Sequence, residues 1–196
     1  MPRPSVLGLI LLAAGAAFAP ETAFAHIGAG HASGFARGFL HPIGGLDHVL
    51  AMLAVGMFAA NLGGRALWAV PLTFVAVMAL GGALGAQQVE LAYVEVGIAL
   101  SVVVLGLTVA TRPNWPVAAA MALVAVFAVF HGHAHGAEMP MAASGAGYAA
   151  GLVLATAILH LAGIALGTGA ALWSRAAPLA GSAMALAGVA LLTGIL

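Results

Sequence analysis

From residue 46 to its end, this chain is a succession of apolar runs of nearly equal length, and that pattern constrains the fold more than any other feature. The runs cover residues 46–62, 66–86, 91–111, 117–135, 145–172 and 178–196, separated by short breaks carrying glycine, proline or a lone charge. A helix needs roughly 20 apolar residues to cross the hydrocarbon of a bilayer. Only a helix or a closed barrel satisfies its backbone hydrogen bonds there, and continuous apolar runs without period-2 alternation select the helix. The sequence therefore predicts an all-α membrane protein, a compact bundle of six transmembrane helices. Composition agrees, since 64% of residues are hydrophobic and 5% charged, against about 45–50% and about 25% in soluble domains. The first and sixth runs are short, which predicts little tilt.

The start of the chain reads differently. Residues 1–25 carry Arg3, an apolar stretch over 6–19 and the small-x-small sequence Ala23-Phe24-Ala25, the layout of a cleavable N-terminal signal peptide. An uncleaved first helix is the alternative. Cleavage after Ala25 would leave residues 26–196 as one membrane domain beginning at His26, whose amine and imidazole, with His31 nearby, would form a weak chelate; a plain soluble tail is the other reading. Ser33 to Phe39 forms an amphipathic approach containing Arg37. Pro42 and the Gly44-Gly45 pair then predict a break just before Leu46.

Charge gives the expected orientation. Arg65, Arg112 and Arg175 follow the first, third and fifth runs, so all three fall on one side, which the positive-inside rule makes the cytoplasm. The opposite loops carry Gln87, Gln88, Glu90 and Glu138 and no base. This predicts a multi-pass membrane protein with its N-terminus outside. Five arginines balance five acids without any basic cluster, which excludes nucleic acid as a partner. The partners expected are the lipid bilayer and a small ion.

Ionisable side chains inside a bilayer are costly and mark function by default. Two groups of them stand out: His41, Asp47 and His48 at the mouth of the first run, and His131, His133, His135 and Glu138 at the end of the fourth. The predicted topology puts both on the outer side. His131, His135 and Glu138 are spaced i, i+4, i+7, one face of a helix. His133 points the other way unless Gly132 and Gly136 unwind the turn. Glu90 and Glu95 start from the same side, and His160 lies near the middle of the fifth run. A histidine-rich surface loop would account for the second group without function, and a hydrogen-bonded core histidine for His160. With no cysteine in the chain, a metal would be held by imidazole, carboxylate, backbone or water. Such a set suits first-row divalent ions, nickel and cobalt among them. Met139 and Met141, beside the second group, raise a copper alternative.

Other functions fit less well. There is no H-E-x-x-H for a metalloprotease and no P-loop for ATP hydrolysis, and neither Ser144 nor Ser182 sits in a G-x-S-x-G elbow. Bis-histidine haem ligation through His48 and His160 or His131 leaves Asp47 and Glu138 unexplained. No enzyme activity and no prosthetic group are expected. A membrane-bound sensor or periplasmic buffer would bind the same ion without moving it. The pairs Gly81/Gly85, Gly147/Gly151 and Gly163/Gly167 are small-residue patterns for close helix packing, within the bundle or between copies.

The stretches H-P-I-G-G-L-D-H-V-L-A-M and F-H-G-H-A-H-G-A-E resemble the two signature motifs of the HupE/UreJ family of bacterial nickel and cobalt permeases. His41, Asp47 and His48 match the first motif, and His131, His135 and Glu138 the second, with His133 at its variable position. The resemblance extends over nearly the whole chain. It implies uptake of Ni2+ or Co2+ for metalloenzymes such as hydrogenase and urease.

Overall fold

The computed structural model describes residues 34–139, 145–170 and 175–196, so His26, His31, Met141, Ser144 and the expected signal segment lie outside the described residues. Among the described residues there are seven helices: α1 (Gly34–Gly44), α2 (Leu46–Leu62), α3 (Ala66–Ala86), α4 (Val94–Thr111), α5 (Val117–Ala137), α6 (Gly145–Ala170) and α7 (Ala176–Leu192). Four of these, α3 to α6, are long and apolar enough to cross a membrane, and α1 with α2 forms a fifth candidate bent by 83°. At 17 residues, α7 is a shorter apolar helix. The six expected spans thus become four or five candidates by length, because α2, at 17 residues, reaches spanning length only together with the bent α1, and the last run ends early, at Leu192.

The breaks follow local chemistry. Pro42 does not end α1, which carries it in its last turn; the chain turns three residues later, at Gly45, whose extended backbone (φ −99°, ψ 121°) opens α2. Gly63 closes α2 with φ of 67° and its N–H on the Ala59 carbonyl, a left-handed position that glycine takes without steric cost. Pro116 precedes the first residue of α5, where a missing N–H loses nothing. Between α3 and α4 the backbone is forced into positive φ at Gln88 and Tyr93, so α4 starts three residues later than the apolar run suggests.

The core lies along α2, whose Met52, Val55 and Phe58 are fully buried against Phe74 and Met78 of α3 and Leu105 of α4. Outward, Leu72, Leu80, Leu161, Leu179 and Leu186 are each exposed. On a soluble monomer so wide an apolar surface would be anomalous; here it is the lipid-facing surface of a multi-pass membrane protein.

Glycine sets how close the helices come. A side chain on Gly81 or Gly85 would collide with the α5 backbone near Val129 and His133, and one on Gly132 or Gly136 with the α3 backbone near Met78 and Gly82. The matching positions advance together, so α3 and α5 run parallel. Gly56 and Gly163 likewise bring α2 against α6, and Gly106 and Gly181 bring α4 against α7. The small-residue patterns at Gly81/Gly85 and Gly163/Gly167 therefore serve contacts within the bundle. Gly132 and Gly136 do not unwind α5, which stays helical through Ala137. Their role is close packing.

A candidate metal centre at the helix break

The bend at Gly45 builds half of the site. His41 stands in the last turn of α1, and Asp47 and His48 occupy the first turn of α2. A Cβ at Gly45 would lie 2.7 Å from Asp47 Oδ1 and 3.0 Å from His48 Nδ1, so glycine leaves the room in which these side chains fold back over the helix start. The His48 backbone N–H donates to Asp47 Oδ1 at 2.8 Å, and the same oxygen is 2.8 Å from His48 Nδ1. An ionised carboxylate only accepts, so Nδ1 carries the proton and Nε2 keeps a lone pair. That Nε2 is buried without a protein partner.

The last two turns of α5 supply the other half. His131 and His135 are fully buried, one turn apart. Ser101 Oγ, from the middle of α4, donates its one proton to the Ile98 carbonyl at 2.6 Å and lies 2.9 Å from His131 Nε2. The serine oxygen must then accept from His131, which leaves a lone pair on Nδ1, again unpartnered. Both ring nitrogens of His135 are unpartnered as well. Buried polar atoms nearly always have a partner. Here they gather in one place.

The two motifs, some 80 residues apart in sequence, meet ring to ring. Ring centroids are 4.9 Å apart for His41 and His135, 4.5 Å for His48 and His135, and 5.0 Å for His48 and His131. At the rim His41 Nε2 lies 3.0 Å from Glu138 Oε2, and the Tyr148 ring faces His41 at 6.0 Å. Among the described residues, no three His, Asp or Glu side chains are grouped so as to hold one ion together as they stand. The arrangement is a file of neighbouring imidazoles.

The remaining sequence candidates divide. His133 faces away, its Nε2–H donating to the Val89 carbonyl at 2.6 Å, and both residues line a cavity of about 550 Å³ together with Glu90. It does not join the file, because α5 remains a regular helix. Glu95 is exposed in the first turn of α4. His160 is buried on α6 with both ring nitrogens unpartnered, its ring 5.2 Å from that of Phe74. Sequence reasoning missed Ser101, although a serine flanked by apolar residues in mid-run was a readable signal, and Phe74, for which no signal existed.

A family model described as HupE / UreJ protein matches residues 12–191. The chain belongs to the HupE/UreJ family. Protein HupE of Rhizobium leguminosarum bv. viciae is 49% identical over 178 residues, covering 89% of this chain and 92% of that relative. No solved structure matches. The HupE/UreJ match spans every described helix except the last residue of α7, so the break at Gly45 and the imidazole file both lie inside the family region.

Proposed function

We propose that the chain carries a divalent transition-metal ion, nickel or alternatively cobalt, inward across the bacterial inner membrane along the file of His41, Asp47, His48, His131 and His135, with Glu138 at its rim. The observation that carries this reading is the donor set: imidazoles from two separate motifs, lone pairs left without protein partners, and no thiolate. That set suits divalent nickel and cobalt, and membership of the HupE/UreJ family, with its association with nickel and cobalt uptake, supports it. In this reading residues 26–196 form the transport domain after loss of a signal peptide, and α2 to α7 make six spans, α2 being re-aimed by the bend and α7 crossing without tilt.

Packing supports the orientation. α3 starts at Arg65 and runs parallel to α5 toward the histidine end, while α6 runs from Tyr148, beside His41, toward Arg175. Arg65 and Arg175 thus cap the end remote from the site, the side the positive-inside rule assigns to the cytoplasm. An inside-negative potential contributes about 2.3 kcal/mol per charge per 100 mV, about 4.6 kcal/mol for a divalent ion. At about 1.4 kcal/mol per decade this sustains an accumulation above about a thousandfold, so passive entry suffices. A sensor or buffer would bind at the same residues and move nothing. Uptake of radioactive nickel and cobalt by cells expressing the chain, before and after collapse of the potential, separates the readings: transport requires uptake above the empty-vector control that falls on collapse, and surface binding that ignores the potential contradicts it.

A further inference from the structure

The file of rings does not stop at His131. Its next member is Phe74 of α3, whose ring lies 5.6 Å from that of His131 and 5.2 Å, at 90°, from that of His160. Phe74 is fully buried and His160 is 1% exposed. Taken in order from the rim, His41, His135, His48, His131, Phe74 and His160 form an unbroken series of ring contacts. One member of that series, Phe74, has no lone pair to offer a cation.

We propose that His160 is a second, deeper metal station and that Phe74 is the partition between it and the outer imidazoles. This rests on the transport reading above and deepens it. The depth comes from α6 itself. Tyr148 stands beside His41 at the rim, and at roughly 1.5 Å per residue His160 is about 18 Å further along the same helix. Two matched rungs join α3 to α6 there: Thr156 Oγ1 donates to Met78 Sδ at 3.7 Å, and one turn deeper His160 faces Phe74. The rungs hold the Phe74 ring between the two imidazoles.

Chemistry assigns the roles. A neutral imidazole has one donor and one acceptor nitrogen, and in His160 both are buried without a partner. A histidine kept only for packing would have a hydrogen-bond partner or be replaced by an apolar residue of similar size at no cost. A divalent ion that favours nitrogen is the ligand class this lone pair accepts, with the buried Thr156 hydroxyl one turn away as an oxygen donor. The phenyl face attracts a passing cation through its quadrupole but cannot ligate it. Phe74 therefore divides two resting places, and dividing them keeps each weak enough to release the ion onward.

The test uses the full chain, with nickel chloride as the probe, in two measurements: equilibrium nickel binding to detergent-purified protein, and radioactive nickel uptake into cells corrected for protein in the membrane. His160→Gln is expected to keep nickel affinity at the outer file within about twofold while uptake falls about tenfold or more. Phe74→Trp, a larger ring in the same gap, is expected to do the same. Wild-type uptake per molecule in either His160→Gln or Phe74→Trp overturns the proposal. So does loss of outer nickel binding in His160→Gln, which would make His160 a part of one site. Absence of uptake by the unsubstituted chain would instead bring down the transport reading itself, so the two failures are told apart.

Discussion

Asp47 holds His48 twice through one oxygen: Oδ1 accepts the His48 backbone N–H at 2.8 Å and stands 2.8 Å from its ring Nδ1. The carboxylate thus caps the start of α2 and fixes which ring nitrogen keeps its lone pair, the arrangement in which a carboxylate behind a ligating histidine raises its basicity. In the proposed path Asp47 would act on the ion through His48.

Asp47→Asn keeps the size and the accepting oxygen but removes the charge. Nickel uptake should fall about tenfold to a hundredfold, the usual cost of losing a partner behind a metal-binding histidine, at unchanged abundance in the membrane. Normal uptake by this variant would leave Asp47 with the cap alone.

Ser101→Ala removes the oxygen that accepts from His131 Nε2. A buried N–H left unpaired costs about 1–3 kcal/mol, and the ring loses the contact that fixes its tautomer. The metal concentration for half-maximal uptake should rise about tenfold. Ser101→Thr, which keeps a hydroxyl, should restore most of it. Equal kinetics in Ala and wild-type chains would show that His131 is oriented by something else.

The helices were legible in the sequence because apolar length and glycine or proline punctuation are local properties. The starts of α2, α3 and α5 fall where those signals put them. The bend was expected from Pro42 together with Gly44 and Gly45; α1 carries Pro42 in its last turn at the loss of one backbone hydrogen bond, and the chain turns at Gly45. Spacing along one helix found His131 and His135 but gave no view of α4, so Ser101 was missed. It also gave no view of which rings meet across helices, which is why Phe74 could not be read. His133 was ambiguous for a reason particular to glycine: Gly132 and Gly136 read equally as helix-weakening residues and as packing surfaces, and only the contact with Met78 and Gly82 decides.

That packing is itself testable. Gly136→Val would drive a side chain into the α3 backbone at Gly82, whereas a Cβ at Gly44 meets nothing within 4 Å. Gly136→Val should sharply reduce folded protein in the membrane and lower its thermal stability in detergent, as overpacking costs about 1–3 kcal/mol or more. Gly44→Ala should leave both unchanged. Comparable stability of the two variants, measured by thermal unfolding, would mean that α3 and α5 separate freely.

The central claim is that the ion rests on imidazoles contributed by both motifs. X-ray absorption of the nickel-loaded, purified chain tests it most directly. The account predicts a first shell of nitrogen and oxygen at about 2 Å, with the multiple-scattering signature of imidazole and no sulfur. That signature should weaken in His48→Ala and in His131→Ala, one residue from each motif. A sulfur neighbour, or a spectrum that neither substitution changes, would contradict the account.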